Sequence, residues 1–137
     1  SSYVLEDQIG FRLRKAHQRA TTIFAEVMVE FDVTPTQFAA LAKLDDLGAI
    51  SQNQLGRLTA MDPATILGVV GRLHRSGWLR ARPSVEDQRL MLIELTPEGQ
   101  VRTKAMKERA ATVTARTLHG LSPAEAQTLN ELLGRLS

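Results

Sequence analysis

The stretch from Asp62 to Thr96, DPATILGVVGRLHRSGWLRARPSVEDQRLMLIELT, limits the possible folds more than any other part of the chain. Asp62 is a helix-capping residue with Pro63 at the first helical position, and Gly77 supplies a stop, so the segment between reads as one helix. Beyond it, Trp78-Leu79-Arg80-Ala81-Arg82 and Leu90-Met91-Leu92-Ile93-Glu94-Leu95 are strand-like runs separated by turn formers at 83–89. They predict an antiparallel hairpin. A capped helix followed by an Arg-rich hairpin offers one element for a DNA major groove and another for the neighbouring backbone or minor groove. That is the outline of a winged helix-turn-helix.

The remaining segments frame this unit with helices. From Glu6 to Phe31, apolar residues Ile9, Leu13, Ala16, Ala20, Ile23, Phe24, Val27 and Phe31 recur at spacings of three and four, which predicts one long amphipathic helix. Thr34-Pro35 opens a second helix carrying Phe38, Leu41, Ala42 and Leu44, and Ser51 caps a short third one with Leu55 and Leu58 inward. After the hairpin, Thr96-Pro97-Glu98-Gly99 opens another long helix with a face of Val101, Ala105, Met106, Ala110, Val113 and Leu118. Ser122-Pro123-Ala124-Glu125 opens the last, with Leu129, Leu132, Leu133 and Leu136. The predicted order is four helices, hairpin, two helices, a mainly α fold with a small β-hairpin.

The 137 residues suit one domain. With 17 Lys+Arg against 15 Asp+Glu the net charge is only +2, so the distribution of charge carries the argument for a polyanion partner. Arginines 72, 75, 80, 82 and 89 face only Glu86 and Asp87 between positions 72 and 89, so the basic excess is concentrated in the helix and hairpin. The chain has no cysteine, which rules out a disulfide framework, a thiolate zinc site and a thiol redox sensor. No apolar run approaches the ~18 residues needed to cross a bilayer, and the start lacks the pattern of a secretory signal, so a cytoplasmic protein is expected.

The ordered set DPAT, GRLHRSGWLRARPSVEDQR and LIELTPEG, with TPTQFAALAKL before it, resembles the MarR family of bacterial transcription regulators, and the similarity runs over nearly the whole chain. The resemblance implies an obligate homodimer in which first and last helices interlock. Each protomer then presents a winged helix to half of a near-palindromic double-stranded operator. Residues 34–96 would form the DNA-binding part, and 1–33 with 97–137 the helical dimerisation part. Thr65, in the first turn of the recognition helix, is expected to contact DNA, as are Arg72 and Arg75 two to three turns later. Asp87 and Arg89 match the family's Asp-x-Arg wing: Asp87 orients the turn, Arg89 approaches the minor groove or backbone, and Arg82 contacts phosphate nearby. Leu67-Gly68 stands where the family often has Thr-Arg, Gly71 where an acidic residue is frequent, and Gln88 replaces a usually basic wing residue. With fewer polar side chains on the helix, specificity should rest more on groove shape and the wing.

Repressors of this family commonly release DNA when a small, often aromatic, anion enters the cleft between the dimer helices and the winged unit. The first helix looks most like members controlling aromatic-acid breakdown. An aromatic carboxylate needs an apolar slot and a cationic or donor group. Arg14 and His17 lie one turn apart beside the apolar stripe, with Phe11 and Phe38 as candidate walls. The widely separated His17, His74 and His119 have no partner at ligand spacing, so neither a metal site nor a cofactor is expected. With no phosphate loop, nucleophile elbow or convincing acid–base pair, an enzyme is not expected either. The remaining alternative is a winged helix that binds protein, against which the wing arginines argue.

Overall fold

The computed structural model describes residues 2–137. Six α-helices and one hairpin follow in the predicted order: α1 Ile9–Val27, α2 Pro35–Leu47, α3 Gln52–Leu58, α4 Pro63–Arg75, β1 Leu79–Pro83, β2 Met91–Leu95, α5 Pro97–Thr117 and α6 Pro123–Arg135. Polar caps start five of the helices. Thr34, Ser51, Asp62, Thr96 and Ser122 each accept a hydrogen bond from the backbone N–H three residues on, which satisfies one of the donors a helix start leaves orphaned. At Thr34 and Ser122 the residue three on, Gln37 or Glu125, returns the bond to the cap N–H and completes a capping box.

The strands pair antiparallel from Leu79 opposite Leu95 to Pro83 opposite Met91, one residue later than the sequence suggests at each start. Ile50, between α2 and α3, adds a bridge that the sequence reading lacks: it exchanges backbone hydrogen bonds with Ile93 at 3.1 and 2.7 Å. A single bridging residue leaves no periodic pattern, so it is invisible until the chain is folded. The core gathers here, with Leu41, Leu44, Ile50, Leu55, Ile66, Leu73, Trp78 and Ile93 buried together and Met106 of α5 and Met28 of α1 closing it.

The single helix expected over 6–31 is broken at both ends. Leu5–Asp7 form a 3-10 turn, Gln8 is extended, and the α-helix begins at Ile9. At the other end, Val29–Phe31 tighten to 3-10 and Asp32 turns left-handed at φ 52°, a conformation Asp tolerates better than most side chains. The apolar stripe is also split, with Ile23 and Phe24 buried but Ile9 and Leu13 exposed. Helix α5 covers only the second half of α1, and Arg19 of α1 marks its end by donating to the carbonyls of Arg116 and Thr117. Nearer the winged unit, Arg116 pairs with Glu26, Arg109 with Glu30, and Lys107 with both Asp45 and Asp46 of α2, each at 2.7 Å. Helix α6 buries no residue in this protomer. Among the described residues no helix is long and apolar enough to cross a membrane.

A close approach of main chains joins α5 to the end of α4. Gly77 ends α4's turn in the left-handed region at φ 81°. Thr96 donates its hydroxyl to the Gly77 carbonyl at 2.7 Å, accepts from Gly99 N–H at 3.1 Å, and donates its own N–H to Trp78 O at 3.0 Å. A Cβ on Gly99 would strike the Trp78 carbonyl, with its carbon only 3.0 Å away. Because the obstacle is backbone, it cannot rotate aside. Gly99→Ala is therefore expected to lower stability by about 2 kcal/mol in denaturant unfolding, even though alanine is the better helix former.

Candidate nucleic-acid interface

Helix α4 buries Ile66, Val69 and Leu73 against the core. Successive residues step by about 100° around a helix, so the opposite face carries Ala64, Gly68, Gly71 and Arg75. Thr65 and Arg72 run along one flank and Leu67 and His74 along the other. The capping bond from Thr65 N–H at 2.7 Å, with a second interaction from the Thr65 side chain, holds the Asp62 carboxyl below the usual carboxylate range. Thr65 itself is exposed in the first turn, as expected of a DNA contact. Arg75 is exposed at the far end of the same face.

Arg72 is exposed but engaged, with its guanidinium 3.3 Å from the carboxylate of Asp32 at the α1–α2 junction. This pair was not legible in sequence, because the partners lie 40 positions apart. Its side chains are 50% and 91% exposed, so it contributes under about 1 kcal/mol. A charge-assisted bidentate bond is stronger than such a pair, so Arg72 is only loosely engaged.

In the wing, Arg80 and Arg82 converge on Glu94 at 2.8 Å each. Arg80 sits opposite Glu94 in the strand register, and Arg82 reaches it diagonally while also donating to the Pro83 carbonyl. Bonds from Arg82 and then Arg80 hold the Glu94 carboxyl below the ordinary glutamate range. The phosphate contact expected of Arg82 therefore begins from a side chain turned inward and half neutralised. Glu94, read from sequence only as part of a strand, is the counter-ion that stiffens the wing.

The wing tip is organised by two side chains. The buried Ser84 hydroxyl accepts from the backbone N–H groups of Glu86 and Asp87 at 3.2 and 3.3 Å. Asp87 accepts from the Arg89 backbone N–H and from its Nε, both at 3.1 Å, and these bonds lower its carboxyl's pKa. Asp87 thereby sets the direction of Arg89, whose side chain is 92% exposed. Val85 stands beside them at the tip, also exposed.

The proposed effector residues are less unified. Arg14 and His17 are exposed on α1, and Phe11 lies half-buried with Lys15 Nζ 5.8 Å from its ring centre. Phe38 packs on Phe24 with centroids 6.0 Å apart. Phe11 and Phe24 are thirteen positions apart on one helix, about 20 Å along its axis. Phe11 and Phe38 therefore do not wall one slot within a protomer, a correction to the sequence expectation. A groove of about 700 Å³ runs between α1 and α5 instead, lined by Lys15, Arg19, Thr22, Glu26, Arg116 and His119. Neither Arg14 nor His17 lines it.

Comparisons with known proteins agree with this geometry. The model of the MarR family matches residues 33–91. The transcriptional repressor NicR of Pseudomonas putida is 34% identical over 98% of this chain and 85% of its own. The crystal structure of a probable transcriptional regulator from Pseudomonas aeruginosa superposes with a TM-score of 0.94 at 45% identity, covering 98% of this chain and all of that one. BpsR of Bordetella bronchiseptica, whose DNA binding is regulated by 6-hydroxynicotinic acid, superposes with a TM-score of 0.94 at 34% identity over 99% and 97% of the two chains.

Two outcomes follow from the interface geometry. Glu94's depressed pKa means its stabilising effect is complete above the ordinary glutamate pKa and is lost as pH falls through the lower folded value. Glu94→Gln should melt a few degrees below wild type at pH 7, and in a series of thermal melts the gap should narrow as the pH is taken below the ordinary glutamate range. Gly68→Ala meets no atom within 4 Å in the free protein. It should raise stability by about 0.5–1 kcal/mol while weakening operator binding if, as the sequence leads one to expect, the outward face of α4 enters the DNA groove.

Proposed function

Because this chain belongs to the MarR family, we propose that it is a homodimeric transcriptional repressor that holds a near-palindromic operator until a small aromatic acid releases it. The observation that carries the DNA-binding part is the pairing of a capped, solvent-facing helix with a wing tip on which Asp87 aims Arg89 outward. One element fits a major groove and the other reaches the flanking minor groove or backbone.

Uncovered apolar surface supports the dimer. Leu129, Leu132, Leu133 and Leu136 of the α6 region and Tyr3, Val4, Leu5, Ile9 and Leu13 near the start are all exposed. Burying each such side chain contributes roughly 1.5–3 kcal/mol, so a second copy that interlocks through 1–33 and 97–137 is the natural cover. The effector class is supported by BpsR, which is related over nearly the whole chain. In this reading Arg14 or His17 takes the carboxylate. The aromatic walls come from two protomers, Phe11 of one and Phe38 of the other, which accounts for their separation within one chain. The acid acts by population shift: it binds best to a dimer whose recognition helices are mis-spaced for major grooves about 34 Å apart.

The test is binding of the purified protein to its own upstream DNA across a salt series, with Arg89→Ala and 6-hydroxynicotinate alongside. The expected result is an affinity that falls by about a thousandfold between 50 and 200 mM salt, weakens at least tenfold in Arg89→Ala, and drops with the acid. Salt-insensitive binding would point instead to a protein-binding winged helix. An acid that binds free and operator-bound protein equally would remove the release mechanism.

A further inference from the structure

One large apolar side chain stands on the solvent-facing half of α4 with little of this chain over it. Leu67 is 62% exposed, whereas Leu41, Leu44, Leu55 and Leu73 of the same unit are at most 2% exposed. It is the fifth residue of the helix, within the N-terminal half that reaches base edges when a recognition helix enters the major groove. Its surroundings make it protrude. Gly68 and Gly71 carry no side chain, and an added Cβ at Gly68 would meet nothing within 4 Å. Ahead of Arg72, Thr65 and Leu67 are the exposed side chains on this helix that extend beyond a single methyl group, Pro63 at its first position aside.

Leucine has no donor or acceptor, so it cannot read the hydrogen-bond pattern of a base pair. The apolar feature on a major-groove edge is the 5-methyl group of thymine. A helix about 10–12 Å across nearly fills a groove about 12 Å wide, and trimming its face at two glycines lets the backbone sit deeper and brings the leucine within reach of the floor. We infer that Leu67 reads the 5-methyl group of one thymine in each half-site and is thus a specificity-determining residue of the DNA-binding function proposed above, on which this inference rests. The apolar contact takes the place of polar readout on a helix that has little of it, and it supplies sequence discrimination that groove shape and the wing alone would not.

The experiment begins with duplexes enriched by the wild-type protein from a random-sequence pool. Each thymine of the enriched site is then replaced in turn by uracil, which lacks only the methyl group. At one position per half-site the replacement should weaken binding about fourfold, the effect of one buried methyl, and about fifteenfold when both half-sites are changed. With Leu67→Ala, which should melt at the wild-type temperature because the side chain is exposed, the uracil penalty should vanish. An enriched site whose thymine methyls make no difference, or a penalty that persists in Leu67→Ala, would overturn the inference alone. Failure to enrich any sequence would sink the operator-binding function and this reading together.

Discussion

The first turn of α5 lies against the peptide that joins α4 to β1, and this contact fixes α4, the hairpin and α5 relative to one another. Thr96 ties its hydroxyl to Gly77, its N–H to Trp78 and its oxygen to Gly99, and only glycine at 99 lets the two backbones meet. The end of the recognition helix, the base of the hairpin and the start of the long helix are thus one joint. Trp78, buried beneath it with the Arg102 guanidinium 5.4 Å from its ring centre, fills the space that the close approach leaves. A hairpin of two short strands is marginal alone, and here its base is held by that joint and its β2 edge by the bridge to Ile50.

Arg72 of α4 and the arginines of the wing are each held by a carboxylate. Glu94 restrains Arg80 and Arg82, Asp87 restrains Arg89, and Asp32 restrains Arg72. Each pair is weak enough to be exchanged for phosphate, yet it limits the rotamers an arginine must give up on binding. The result is a surface in which cations sit at the wing and the far end of α4, while the first turns of that helix are small, apolar or hydroxylic.

What the sequence made legible was what depends on neighbours in the chain. Caps such as Asp62-Pro63 and Ser122 with Glu125, and the two runs of the hairpin, are local, and pattern alone locates them. The Asp87–Arg89 turn was located through the family resemblance, and the bond between the two residues is present in the structure. What stayed hidden depends on distance. The Ile50 bridge, the Arg72–Asp32 pair and the convergence of two arginines on Glu94 join residues far apart in sequence. The distance between Phe11 and Phe38 within one protomer was hidden for the same reason, since helical rise, not residue type, keeps them apart.

Helix α5 is held along its length: its first turn and Lys107 meet the winged unit, Arg109 pairs with Glu30, and Arg116 near its far end pairs with Glu26 while its carbonyl accepts from Arg19. Its 21 residues make a rod about 32 Å long. Over that length a tilt of about 10° displaces one end relative to the other by about 5 Å, close to one helical pitch. Because Thr96 locks the base of that rod to the end of α4 and the start of the hairpin, a tilt of α5 would carry those elements with it as one body and change their bearing rather than their mutual geometry.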